Sequence, residues 1–168
     1  MARDLSNGKV NLQKCKFISH QQAGSLRTGF AKNGDVLFTH KGTIGDVALL
    51  NCNLDFVVLT PQVTGYRILD TLVLDRIYLY FLLKSDFFQK QVKKIANIGS
   101  TRAYIGITRQ KELKICVPPI DIQRRIVAIL KDAEPEFSII KNVTTRKLNN
   151  YKNLKSAILK NELQSEAK

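Results

Sequence analysis

Glu112 and Lys114 are the pair of residues whose spacing comes closest to a catalytic motif. A carboxylate and a lysine on one strand are typical of metal-dependent nucleases, in which a second carboxylate on a neighbouring element completes the metal site. Here no Pro-Asp pair precedes them, and the same residues also fit a charged approach to a buried strand. A stand-alone metal-dependent nuclease is therefore an alternative and not our first interpretation.

The double proline Pro118-Pro119 is the second feature that could belong to an enzyme. A DNA methyltransferase that modifies an amino group would need a polar and an aromatic residue beside it, because these groups hold the flipped base. The flanking residues are Val117 and Ile120, so both groups are missing. The sequence also contains no GxxxxGK[ST] phosphate loop and no GxSxG elbow. We expect no catalytic residues and no cofactor in this chain.

Cysteine and histidine are too scattered to predict a metal site. Cys15, Cys52 and Cys116 are odd in number and far apart, without a CxxC pair, which indicates reduced thiols. The two histidines, His20 and His40, lie outside any HExxH or short Cys/His spacing. We therefore expect no metal.

Composition favours a polyanionic partner. The 168 residues include 27 Lys and Arg against 14 Asp and Glu, a formal net charge of +13, which favours a nucleic acid or an anionic surface. The longest apolar stretches are far shorter than the ~20 residues of a bilayer helix, and the charged amino terminus is unlike a signal peptide. We expect a cytoplasmic protein without a membrane span.

The elements that would position functional residues change in type along the chain. Up to about residue 70, turn residues separate short β-branched and aromatic runs. These predict strands at residues 36–39, 47–50, 56–59 and 63–68, buried on both faces. Residues 74–96 have helical periodicity, and a last strand is predicted at 113–117, ended by the double proline. The sequence predicts an α+β fold.

The sequence after the double proline is helical almost to its end. An apolar stripe there repeats in steps of three and four over nearly three heptads. The stripe runs through Ile140, Thr144, Leu148, Tyr151, Leu154 and Ile158. Pro135 is expected to divide this region into two helical pieces, because proline lacks a backbone donor and clashes with the preceding turn. The stripe predicts a partner helix, in antiparallel or coiled-coil pairing; packing on its own domain is the alternative.

Three further segments stand out by their order and spacing. Residues 34–48 read GDVLFTHKGTIGDVA, residues 98–105 read IGSTRAYI, and residues 113–120 read LKICVPPI, followed by Gln123 and Ile126. They resemble, in turn, the "GDiL.s..GtiG.va", "Gstr..i" and "l..i.vP.P...Q..I..iL" stretches of Type I restriction-modification specificity subunits. The resemblance covers about residues 30 to 160.

This resemblance implies a division of labour between chains. A target-recognition domain at residues 1–119 would read half of a bipartite site in double-stranded DNA, and a connector at 120–168 would set the spacing and dock methyltransferase (modification) subunits. Methyl transfer with S-adenosylmethionine and ATP-driven cleavage would belong to the modification and restriction subunits, so this chain would be non-catalytic.

The family's complete subunit has two recognition domains, and its domains usually begin some tens of residues earlier than this one. The resemblance therefore implies a half-length, truncated or split product. Such a chain would form a homodimer or pair with another specificity fragment.

Glycine-flanked loops carry the candidates for DNA contact, because hydroxyls and long cations there can approach a phosphate backbone closely. The candidates are Lys41, Thr43, Ser100, Thr101 and Arg102. Arg102 is favoured for reading a base, since a guanidinium can bond guanine at two atoms, and Lys41 is favoured for a phosphate. The glycines also fit ordinary turns, and both cations also fit a solvated surface. A basic RNA-binding protein remains a further alternative, although an aromatic RNA-recognition pattern is missing.

Overall fold

Residues 4–6, 8–96 and 104–165 are described by the structure, a computed structural model. The elements in chain order are β1 (Leu5–Ser6), β2 (Lys9–Val10), α1 (His20–Gly24), β3 (Phe30–Ala31), β4 (Val36–Thr39), β5 (Val47–Leu49), β6 (Val57–Val58), β7 (Val63–Tyr66), α2 (Arg76–Lys84), α3 (Asp86–Ala96), α4 (Ile107–Gln110) and α5 (Ile120–Ser165). The chain divides into two units, Met1–Val127 and Ala128–Lys168. The prediction that residues 1–119 and 120–168 act as separate domains stays a prediction.

A mixed sheet of five strands lies at the centre of the first unit, in the order β1-β2-β5-β4-β7. The β2–β5 pair is parallel, and the other neighbours are antiparallel. Strands β3 and β6 form a second, antiparallel sheet. The four strands predicted between residues 36 and 68 are therefore confirmed in position, with β5, β6 and β7 shorter than expected.

Strand β4 is buried along its whole length, because its alternating side chains enter two different cores. Val36 and Phe38 pack with residues of α2 and α3, including Phe88. Leu37 points to the other face, where it packs with the β3–β6 sheet through residues such as Val57. The predicted burial on both faces is confirmed for β4 and is wrong for β7, where Gly65 is exposed because this strand lies at the edge of the sheet.

The strand predicted at residues 113–117 is wrong. Side chains of α2 and α3, rather than a neighbouring strand, form the hydrogen bonds with the backbone of this segment. Gln91 accepts from the Lys114 amide at 2.9 Å and donates to its carbonyl at 3.0 Å, and the Tyr78 hydroxyl donates to the Cys116 carbonyl at 2.9 Å. Local sequence pattern does not reveal such side-chain partners.

The two helical pieces predicted around Pro135 are also wrong, because α5 continues through this residue from Ile120 to Ser165. A proline inside a helix removes one donor and disturbs the preceding turn. The remaining bonds of the ladder are kept on both sides, and Ala133, Glu134 and Glu136 favour the helical state. The cost at one residue is smaller than the cost of ending a helix there and starting another.

Gln123 anchors the first turns of α5. Its side chain is fully buried; it accepts from the Asp75 amide at 2.9 Å and donates to the carbonyls of Val73 at 2.9 Å and Pro118 at 2.7 Å. Asp75 in turn caps α2 through the amides of Ile77 and Tyr78. One amide side chain therefore joins the start of α5 to the start of α2.

Gln123→Leu is expected to lower the free energy of unfolding by about 1–3 kcal/mol, because it leaves three partly buried backbone groups without their partner. Urea denaturation followed by circular dichroism measures the loss. The control is Gln21→Leu on the exposed face of α1, which should change stability by less than about 0.5 kcal/mol. Equal effects of the two substitutions would contradict the anchoring role.

Candidate nucleic-acid interface

The loop between β4 and β5, residues 40–46, carries two of the expected DNA contacts and is called the Lys41 loop. Lys41 and Thr43 are both exposed. Gly42 has a φ of +81°, a left-handed conformation that favours glycine. A side-chain carbon at Gly42 would meet no atom within 4 Å, so the space beside this backbone is open to a ligand.

Hydrogen bonds hold the base of the Lys41 loop. The Thr39 amide donates to the Asp46 carbonyl at 2.9 Å, and the Asp46 amide donates back to the Thr39 hydroxyl at 2.9 Å. Gly45 is fixed to α3, because Gln89 donates to its carbonyl at 2.9 Å. Gly45 also has a φ of +98°, and a side-chain carbon there would lie 2.6 Å from Oε1 of Gln89. The loop is therefore anchored at both the sheet and the helix.

Tyr104 lies beside Lys41. The two residues form an antiparallel β-bridge, and the Lys41 ammonium stands 5.9 Å from the centroid of the Tyr104 ring. A cation–π contact at an exposed site contributes about 0.5–1 kcal/mol. The ring remains 49% exposed, so an aromatic face and a cation are presented to solvent together.

His40 supports this bridge from inside the domain. It is buried, its carbonyl accepts from the Ile105 amide at 2.9 Å, and its Nδ1 lies 3.1 Å from the Ile105 carbonyl. A carbonyl oxygen can only accept, so Nδ1 carries the proton. Burial lowers the pKa of His40; the bond to Ile105 opposes this shift, and the Lys41 charge adds to it. The imidazole is therefore neutral at neutral pH.

The structure places part of the expected DNA contact set. Lys41 and Thr43 share one anchored loop, whereas Ser100, Thr101 and Arg102 lie outside the described residues. Tyr104 follows Arg102 by two positions and was not among the sequence-based candidates. The only sequence signal for Tyr104 was its place within the family-like segment 98–105.

Glu112 and Lys114 are both exposed, and the Lys114 backbone is bonded to Gln91. Across residues 4–6, 8–96 and 104–165, no group of three or more His, Cys, Asp or Glu is arranged to hold a metal ion. None of the described helices is both long enough and apolar enough to cross a membrane.

The predicted pairing residues lie on α5 within the unit Ala128–Lys168, which we call the connector helix. All are between 52% and 69% exposed: Ile140, Leu148, Tyr151, Leu154 and Ile158. Charge is unevenly distributed along this helix. Residues 132–136 include three acids, whereas residues 137–161 include six Lys and Arg and no acid.

Comparison with known proteins relates this arrangement to a family. Residues 27–150 match the family model of the Type I restriction modification DNA specificity domain. A curated relative from Methanocaldococcus jannaschii, the "Putative type I restriction enzyme MjaX specificity subunit", is 28% identical over 132 residues, which are 76% of this chain and 31% of that protein.

Two solved structures have a similar fold. A chain from a study of complex assembly and conformational transition of the type I R-M system has a TM-score of 0.55 and 24% identity, over 80% of this chain and 32% of the other. The HsdS subunit from Thermoanaerobacter tengcongensis has a TM-score of 0.55 and 20% identity, over 71% and 32%. These likenesses confirm the α+β fold with a long carboxy-terminal helix. This chain spans about a third of the length of each relative that it matches.

Proposed function

This chain belongs to the family of Type I restriction modification DNA specificity domains, and from that membership we propose that it is a sequence-specific DNA-binding subunit. It would direct methyltransferase and restriction subunits to a target site in the cytoplasm, while those subunits hold the cofactors and perform the chemistry. The family match over residues 27–150 carries the proposal, because it includes the Lys41 loop, Tyr104 and most of α5.

The Lys41 loop and the segment before Tyr104 are proposed to form one DNA-reading surface. The bridge between Lys41 and Tyr104 supports this arrangement. A residue advances the chain by at most about 3.6 Å, so the Cα atom of Arg102 stays within about 7 Å of that of Tyr104. Lys41 and Thr43 would then contact phosphates while Arg102 reads a base, with Ser100 and Thr101 anchoring the DNA backbone.

Lys41→Ala is expected to weaken binding to all duplexes alike, because a phosphate contact carries no sequence information, and to lower the slope of log affinity against log salt by about one. Arg102→Ala is expected to cost about 1–3 kcal/mol at one base position. Fluorescence anisotropy, with a duplex selected by the wild-type chain and its single-base-pair variants, measures both effects.

A matched control for these substitutions is Lys32→Ala. Lys32 is exposed and precedes β4, whereas Lys41 follows it, so the two lysines lie at opposite ends of the strand. The control should leave binding unchanged. Normal binding by both Lys41→Ala and Arg102→Ala would remove these loops from the interface.

We propose that the connector helix pairs with the same helix of a second copy, or with that of another specificity fragment. An antiparallel pair of copies would bring Asp132, Glu134 and Glu136 towards the end of the other helix, which carries Lys160 but also Glu162, so charge gives only a weak preference for this orientation. A parallel pair would instead align like charges along its length. A two-fold antiparallel dimer would read a palindromic bipartite site.

Binding and activity assays on the purified chain test the proposal against its alternatives. We expect the chain to prefer double-stranded DNA over RNA and to elute together with methyltransferase subunits. Magnesium-dependent DNA cleavage that Glu112→Gln abolishes would establish the nuclease instead. A preference for RNA over double-stranded DNA would establish a basic RNA-binding protein instead.

A further inference from the structure

A chain of buried and partly buried hydrogen bonds connects the central sheet to Tyr104 and Ile105. Gln110 of α4 is only 8% exposed. Its Oε1 accepts from the Tyr66 hydroxyl at 3.0 Å, and its Nε2 donates to the Ile105 carbonyl at 3.0 Å. The same carbonyl lies 3.1 Å from Nδ1 of His40. Side chains from two separate elements therefore bind one backbone oxygen.

The direction of each hydrogen bond in this network is fixed. Only the amide nitrogen of Gln110 can donate to the Ile105 carbonyl, so its oxygen must face Tyr66. Burial raises the pKa of Tyr66 to about 12, and its hydroxyl therefore keeps the proton that it donates. His40 is neutral with its proton on Nδ1. Because every group has one compatible orientation, the network holds Ile105 at a defined distance and angle.

Stability alone does not account for these polar groups, since apolar residues of the same shape can replace both partners of a buried hydrogen bond at little cost. Hydrogen bonds add a fixed direction that apolar packing lacks. The residue that is fixed, Ile105, directly follows Tyr104, and both pair with the His40–Lys41 segment. The network therefore acts on the geometry between Tyr104 and the Lys41 loop.

We propose that Gln110 is a positioning residue for DNA discrimination, which holds Tyr104 and Ile105 in one register with the Lys41 loop. This inference rests on the function proposed above. Loss of the network would allow Tyr104 to shift relative to the Lys41 loop. Phosphate contacts tolerate such shifts, whereas a bidentate base contact depends on distance and angle, so discrimination would suffer more than affinity.

The double variant Gln110→Met with Tyr66→Phe separates positioning from stability. It removes both partners of one hydrogen bond, so neither side chain is left unsatisfied, and its unfolding midpoint should stay near that of the wild type. Each single variant leaves one buried group unpaired and should be less stable than the double variant. The matched control is Gln91→Met, because Gln91 also holds a backbone segment, at Lys114, outside this network.

The full-length chain is first used to select duplexes from a randomised double-stranded library. For the double variant, we expect the affinity ratio between the selected duplex and its single-base-pair variants to fall by roughly tenfold, within the range of one base contact, while affinity for an unrelated duplex is kept. Amide exchange at Ile105, whose N–H donates to His40 at 2.9 Å, should become faster without DNA.

Each outcome of this experiment supports or overturns the inference. Reduced discrimination with unchanged non-specific affinity, together with faster exchange at Ile105, supports it. Wild-type discrimination in the double variant, or an equal loss for every duplex, overturns it and leaves the proposed function intact. A wild-type chain that enriches no sequence overturns the proposed function, and the inference with it.

Discussion

Raising the salt concentration from 50 to 200 mM is expected to weaken the binding of this chain to duplex DNA by about a thousandfold or more. The chain carries a net charge of +13, and a contact set on the order of 6 to 10 phosphates would release as many counterions. Anisotropy titrations at several salt concentrations, at constant pH and without magnesium, measure the slope of log affinity against log salt.

The slope also tests which cations touch the DNA. Arg67 forms a 2.7 Å ion pair with the buried Asp35, which neutralises its charge, so it should contribute little to the slope. Lys41→Ala should lower the slope by about one, and Lys32→Ala should leave it unchanged. A flat response to salt in the wild-type chain would contradict the DNA-binding proposal, because phosphate contact without counterion release is not possible.

The sequence predicted those parts of the fold that depend on local pattern. The apolar run of β4 predicted burial on both faces, and helical spacing predicted the region of α2 and α3. The break between these two helices lies at Ser85, a single residue within one periodic pattern. The glycines of the Lys41 loop marked a turn beside an exposed lysine, which the structure contains.

The features that the sequence did not predict depend on contacts between distant residues. The bond from Tyr66 to Gln110 joins residues 44 apart, and the bond from His40 to Ile105 joins residues 65 apart. Neither spacing produces a periodic pattern. The strand predicted at 113–117 was wrong for the same reason, because Gln91 and Tyr78 bond to the backbone of this segment from other elements. Pro135 shows the opposite case, in which a strong local signal is outweighed by the helix on both sides.

The connector helix offers the second prediction of large effect: Leu148→Asp with Leu154→Asp is expected to abolish self-association and binding to methyltransferase subunits. These two residues are 53% and 58% exposed, so the substitutions disturb no core and should leave the unfolding midpoint of the unit Met1–Val127 unchanged. In a paired helix the same positions would be covered, and burying an unpaired carboxylate costs several kcal/mol. Removing residues from Ile140 onward should have the same effect.

The control for this prediction must add the same charges outside the apolar stripe. Asn142 and Ser156 are exposed on α5 and fall between the stripe positions, on the opposite side of the heptad. Asn142→Asp with Ser156→Asp should therefore keep the association. Size-exclusion chromatography with light scattering, with and without methyltransferase subunits, measures the mass of each species. If the wild-type chain is a monomer that ignores every partner, or if both double variants lose association equally, then the stripe is not the pairing surface. If only the stripe variant dissociates, the stripe is the pairing surface, and the paired chains present two reading surfaces, as the proposed function requires.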